Sequence, residues 1–169
     1  EHVEKLLAEG TPFTLIYLDL DGFKAFNDYY GYARGDEVIK LAAQVLVEVV
    51  TLRGTPSDYV GHIGGDDFML VVAPHVAKAV ADAVIETFED RVRALFAPED
   101  IARGYFITID RQGHKRQQPC MVHVTMAVVP NDKQQYASYV QLVDAATELK
   151  RYGKTMAGSI AVFDRRGGV

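Results

Sequence analysis

The sequence predicts an α+β domain in which helices flank one central, mostly antiparallel sheet. Short apolar segments of strand length alternate with long stretches of helical periodicity. Two pairs of strand segments are separated by turns that contain glycine, which is typical of hairpins and therefore of antiparallel pairing. A chain of 169 residues has the size of a single domain and is long enough to bury a core.

The first half of the chain carries clear strand and turn signals. Its predicted elements are, in order, a helix over residues 1–9, a buried strand over 13–18, a helix over 35–51, and a hairpin of strands 58–63 and 68–72. Gly10 ends the first helix. The Gly64–Gly65 pair supplies the hairpin turn, because both turn positions need a positive φ.

The second half continues the alternation. Its predicted elements are a helix over residues 76–95, strands over 105–109 and 121–129, a helix over 136–152 and a last strand over 159–163. Residues 110–114 look like the tip of a hairpin between the two middle strands, and we expect the polar tail 164–169 to be frayed. No repeat or linker interrupts the chain, so residues 1–169 are predicted to form one domain.

Composition excludes several classes of protein. A net charge of −5 argues against a DNA-binding or RNA-binding surface, and no apolar run is long enough for a membrane contact. The single Cys120 cannot form an internal disulfide, which favours a reducing, cytoplasmic location. Because the chain opens on Glu1 rather than Met, we expect it to be a fragment of a longer protein.

Two acidic pairs stand at predicted strand ends. Asp19 and Asp21 follow the first strand, and Asp66 and Asp67 follow the Gly-Gly turn. Two carboxylates about 4 Å apart repel by roughly 4 kcal/mol at an effective dielectric constant of about 20, so a cation between them would be stabilising. Their hard oxygen ligands suit Mg²⁺, Mn²⁺ or Ca²⁺. The alternative interpretation is that these are solvated turn residues.

The neighbouring residues suit a nucleotide. Gly64 and Gly65 allow a close backbone approach, and Lys24 offers a positive charge just after Asp21. Asn27 and Asp36 could pair with a guanine edge, because an amide donates to its acceptors and a carboxylate accepts from its N–H groups. Each alone would instead be an ordinary residue at a helix end.

Three separated segments resemble the GGDEF family of diguanylate cyclases. The run Asp19-Leu-Asp-Gly-Phe-Lys-Ala-Phe-Asn-Asp28, with Gly31 and Gly35-Asp36 after it, is similar to the family's first half-site. Gly64-Gly-Asp-Asp-Phe68 resembles the signature hairpin, and residues 144–154 resemble the last helix. The resemblance runs from about Thr14 to the end of the chain.

The resemblance implies a palm-like nucleotidyl cyclase fold and a two-substrate reaction. In that family two domains each bind one GTP and face each other as a homodimer. They make cyclic di-GMP with the help of Mg²⁺ or Mn²⁺. The resemblance also implies an upstream sensor or receiver domain in the full-length protein.

The resemblance assigns roles by position. The metal ligands would be Asp19, the carbonyl of Leu20, and Asp66. The catalytic residues would be Asp66, Asp67 and Lys24. The GTP-binding residues would be Phe23, Asn27, Asp36, Gly64, Gly65, Lys150 and Lys154. Thr55 and Asp58 mark a degenerate inhibitory site, because Thr55 stands where the family has Arg.

The sequence departs from the usual family residues at four further positions. Asp67 replaces Glu, Tyr32 replaces His, His62 replaces Arg, and Lys154 replaces Arg. Three functions therefore stay open: an active diguanylate cyclase, a catalytically weak or silent module that binds GTP or cyclic di-GMP, and an acidic structural domain.

Overall fold

The computed structural model describes residues 1–166. The strands are β1 (Thr14–Asp21), β2 (Tyr59–Gly64), β3 (Asp67–Val72), β4 (Tyr105–Ile109), β5 (Lys115–Pro119), β6 (His123–Pro130) and β7 (Ile160–Phe163). The helices are α1 (His2–Glu9), α2 (Phe23–Tyr30), α3 (Tyr32–Arg53), α4 (Ala77–Val92), α5 (Pro98–Arg103) and α6 (Tyr139–Gly153). None of these helices is long and apolar enough to span a bilayer.

The central sheet has five strands in the order β2-β3-β1-β6-β7. Strand β1 lies in the middle and pairs antiparallel with β3 and with β6, whereas β7 joins β6 in parallel. The predicted α+β class, with a mostly antiparallel sheet flanked by helices, is confirmed.

Alternate residues of β1 supply the core on both faces of the sheet. Ile16, Leu18 and Leu20 pack in a cluster with α3 and α4, and Leu15 packs on the other face with α1 and α6. All four side chains are almost fully buried. Burial of each contributes about 1.5–3 kcal/mol, so the strand that ends in Asp19 and Asp21 is firmly held.

The second predicted hairpin, between residues 105–109 and 121–129, is wrong in the identity of its second strand. Strand β4 pairs with β5 in a separate two-stranded sheet, and the segment predicted over 121–129 is instead β6 of the central sheet. Strand β5 reads Lys-Arg-Gln-Gln-Pro and is mostly exposed, so it carries no apolar alternation to reveal it. Helices α2 and α5 were also not predicted, because both are short.

The expectation of a frayed tail is wrong for residues 164–166. Asp164 is buried and accepts a hydrogen bond from the Tyr136 hydroxyl. Arg166 pairs with Asp164 at 2.9 Å and with Glu148 at 2.7 Å. Charge pairing therefore fixes this polar segment, and residues 167–169 of the prediction lie outside the described residues.

Candidate functional site

Three carboxylates meet where β1 ends and β3 begins. Asp19 lies directly opposite Asp67 in the register of the two strands, and Asp66 precedes β3 at the turn. One oxygen from each of the three groups lies within 4.8 Å of the others. Asp19 is buried, with 6% of its surface exposed, and the other two are half-buried. The predicted meeting of Asp19 with Asp66 is therefore present, and Asp67 joins them.

The Gly-Gly turn holds Asp66 at this place. Gly64 and Gly65 have φ values of 148° and 57°, which side-chain-bearing residues rarely adopt. The Leu20 amide donates to the Asp66 carbonyl at 3.3 Å, which ties the turn to β1. His62 stabilises the turn, because its Nε2 donates a hydrogen bond to the Gly65 carbonyl at 2.9 Å. The sequence had marked His62 only as a departure from the family.

Two lysines near the end of α6 neutralise part of this negative charge. Lys150 Nζ lies 3.1 Å from Asp67 Oδ1 and 4.1 Å from the centre of the Tyr17 ring. Lys154 contacts Asp19 and also lies 3.5 Å from Asp21. Both lysines predicted to bind GTP therefore reach the acidic cluster.

A glycine lets α6 come close enough for these contacts. Gly153 is buried, and a Cβ added there would lie 2.9 Å from Thr125 Cγ2 of β6. A larger residue would push the end of the helix away from the sheet. The helix register that brings both lysines to the strand ends depends on this contact.

The repulsion between the carboxylates of this cluster favours the binding of a cation. Burial, and then the charge of Asp19, raise the pKa of Asp66. Desolvation works against the charged form of Lys154, yet its bonds to Asp19 and Asp21 raise the pKa of this lysine. Three carboxylate oxygens at this spacing are the ligands that Mg²⁺ and Mn²⁺ prefer, so the donor set fits a divalent metal.

The predicted guanine-binding residues lie on α2 and α3. Asn27 Oδ1 is buried and has no hydrogen-bond partner among the described residues. Gly35 makes room for it, since a Cβ added there would lie 1.7 Å from that oxygen. Asp36 follows on the exposed side of α3. A buried amide oxygen that has no partner among the described residues can accept a hydrogen bond from a ligand.

An open cavity of about 520 Å³ extends from the acidic cluster. It is lined by Asp66 and Lys154, by Phe23 and Lys24 at the start of α2, and by the β4–β5 hairpin. Lys24 is exposed and pairs with Asp28 at 2.8 Å. A larger cavity, of about 780 Å³, lies between α6 and β7 and is lined by none of the three clustered carboxylates, so we place the site in the first cavity.

Asp58 of the predicted degenerate inhibitory site is engaged internally. Its carboxylate accepts from the Thr55 amide and hydroxyl, both at 2.7 Å, and from the Ala73 amide at 2.9 Å. These bonds fix the loop before β2 and occupy the carboxylate oxygens.

Most of the chain matches one known protein family. Residues 1–156 match the family model described as "Diguanylate cyclase, GGDEF domain". Diguanylate cyclase DosC of Escherichia coli K12 is 38% identical over 63 residues, which is 37% of this chain and 13% of DosC. The chain thus matches only a small part of its curated relatives, 15% in the first of them.

Solved structures share the fold over almost the whole chain. Diguanylate cyclase SiaD from Pseudomonas aeruginosa, solved in complex with its activator SiaC, has a TM-score of 0.65 and 22% identity, over 95% of this chain and 53% of that one. The GGDEF domain of DgcB from Caulobacter crescentus, in complex with c-di-GMP, has a TM-score of 0.64 and 20% identity, over 96% and 83%.

Proposed function

This chain belongs to the GGDEF domain family, and we propose that it is a diguanylate cyclase that joins two GTP molecules into cyclic di-GMP. The observation that carries the proposal is the cluster of Asp19, Asp66 and Asp67 at the strand ends, together with the two lysines that pair with its carboxylates. The reaction runs in a homodimer, transient or assisted by a partner, because one copy of the motifs supplies one GTP site.

The proposed chemistry balances as two identical steps. The 3′-oxygen of each GTP attacks the α-phosphorus of the other, a P–O bond forms, and the bond to pyrophosphate breaks as the hydroxyl proton leaves. One cyclic di-GMP and two pyrophosphates result.

The residues of the site divide this work. Held by Asp19, Asp66 and the Leu20 carbonyl, Mg²⁺ or Mn²⁺ would supply positive charge against the phosphates. Asn27 and Asp36 would bind guanine, while Lys24, Lys150 and Lys154 would bind phosphate oxygens.

A second candidate is a module that binds GTP without turnover. It is favoured by the pairing of Lys150 and Lys154 with carboxylates, because these carboxylates compete with a phosphate for the two lysines. The shorter side chain of Asp67, where the family usually has Glu, supports it too. The cytoplasmic location and the upstream sensor stay predictions.

Product analysis distinguishes the two candidates. The purified chain is incubated with GTP and Mg²⁺, and the mixture is separated by chromatography. A cyclase yields cyclic di-GMP, and Asp66→Ala yields none. GTP binding without this product would favour the second candidate.

A further inference from the structure

The β4–β5 hairpin forms one wall of the cavity that extends from the acidic cluster. Residues 108–111 together with Arg116 and Gln118 are the part of the hairpin that lines it. The rest of the lining comes from residues 20–25 and from Asp28, Asp66 and Lys154. The hairpin therefore borders the same space as the proposed reaction centre.

The hairpin is positively charged in an acidic chain. Between residues 105 and 119 it carries Arg111, Lys115 and Arg116 against Asp110 alone, so three positive charges minus one negative leave +2. The whole chain carries −5. Of these charged residues Arg111, Arg116 and Asp110 line the cavity, so the hairpin wall carries a net charge of +1. Positive charge on one wall of a cavity favours an anionic ligand.

Asp110 holds the tip of the hairpin in one conformation. Its Oδ1 accepts from the amides of Gln112 and His114, both at 2.9 Å. Its Oδ2 accepts from Arg116 Nε at 3.0 Å. The remaining N–H groups of Arg116 belong to a side chain that is 61% exposed, so they are available to a ligand.

Arg111 is free to bind. Within residues 1–166 no carboxylate lies within ion-pair distance of its guanidinium group, whereas Lys24 is paired with Asp28. A guanidinium fork matches the geometry of phosphate oxygens and gives paired hydrogen bonds.

We propose that Arg111 and Arg116 bind the outer phosphates of the nucleoside triphosphate, so that the hairpin forms the far wall of a polyphosphate site. The inference rests on the proposed function. If guanine lies at Asn27 and the α-phosphate at the acidic cluster, the outer phosphates extend into this cavity. Neither arginine belongs to the motifs that identify the family in this chain.

The test compares ligands that differ only in their phosphates. Calorimetric titrations with GTP and with GMP, in Mg²⁺, are made for the unmodified chain, Arg111→Ala and the double variant Arg111→Ala/Arg116→Ala. Each lost charge-assisted contact should weaken GTP binding about tenfold and leave GMP binding unchanged. Lys115→Ala is the matched control, because it removes the same charge from the hairpin at a residue that does not line the cavity.

The possible results separate this inference from the proposed function. Equal GTP affinities for the unmodified chain and both variants would overturn the inference alone. The same would follow if GTP and GMP weakened equally, or if Lys115→Ala had the same effect as Arg111→Ala. An unmodified chain that binds no GTP would overturn the proposed function and this inference with it. If the loss of Arg116 loosens the hairpin, the single variant Arg111→Ala still tests the inference, since Arg111 makes no ion pair within residues 1–166.

Discussion

Gly35→Ala should separate guanine binding from folding. The buried Gly35 lies within α3, and a Cβ there would come 1.7 Å from Asn27 Oδ1 and 2.8 Å from Asn27 Cγ. Those distances are far below van der Waals contact, so the Asn27 amide must rotate away. Because it is the end of a flexible side chain, it can move without displacing a helix.

The substitution should change the stability of the fold little and weaken GTP binding. Alanine is favoured over glycine within a helix by about 1 kcal/mol, which offsets the local repacking, so the stability of the fold should change by no more than that. The displaced amide loses its proposed hydrogen bonds to guanine, which costs about 1–3 kcal/mol, or roughly 5- to 150-fold in GTP affinity.

Thermal unfolding and GTP titration measure these two effects on one sample. The matched control is Asn27→Ala, alone and combined with Gly35→Ala. Since both changes remove the same contact, the double variant should bind GTP no more weakly than Asn27→Ala alone. Gly35→Ala with unchanged GTP affinity would refute the role of Asn27, and additive losses would show that Gly35 acts by another route.

Three more predictions concern charges. In the absence of metal, Asp66→Asn should raise the melting temperature, because it reduces the repulsion between like charges and so stabilises the fold by on the order of 1 kcal/mol. The same variant should lose the stabilisation that Mg²⁺ gives the unmodified chain. An unchanged effect of Mg²⁺ would contradict the metal site. The hydrogen bond from Tyr30 lowers the pKa of Asp100 below its ordinary value of 3.8, so this carboxylate stabilises the fold above that pH and ceases to do so as pH falls through the lowered pKa. Asp100→Asn should therefore flatten the acid limb of urea midpoints measured against pH, and an unaltered limb would contradict the stabilising role of the Tyr30–Asp100 hydrogen bond. Cyclic di-GMP should bind weakly at Asp58, whose oxygens are engaged; a tight complex that Asp58→Ala abolishes would show the opposite.

The sequence was sufficient for the parts of the site that lie on neighbouring strands. Asp19 lies at the end of one apolar strand, and Asp66 immediately precedes the strand that pairs with it, so the pairing of Asp19 with Asp67 also brings Asp66 near. The glycine pair predicted the turn, because few other residues tolerate the positive φ values that the turn requires.

Contacts made by packing could not be predicted in the same way. The proximity of Lys154 to Asp19 depends on how closely Gly153 lets α6 approach β6, and no local pattern encodes that distance. Similarly, β5 is a polar, exposed strand, so periodicity could not show that the hairpin borders the cavity. The room that Gly35 leaves for Asn27 also required coordinates.

The central claim is that two copies of this one site act together on two GTP molecules. Its most direct test is the initial rate of cyclic di-GMP formation from GTP and Mg²⁺ over a wide range of protein concentrations, with the oligomeric state followed by sedimentation. We predict that the rate per mole of protein rises with concentration as dimers form, and that fusing a dimeric coiled coil ahead of Glu1 raises it at low concentration. A constant rate per mole from a species that sediments as a monomer, or no cyclic di-GMP from a dimer that binds GTP, would contradict the claim.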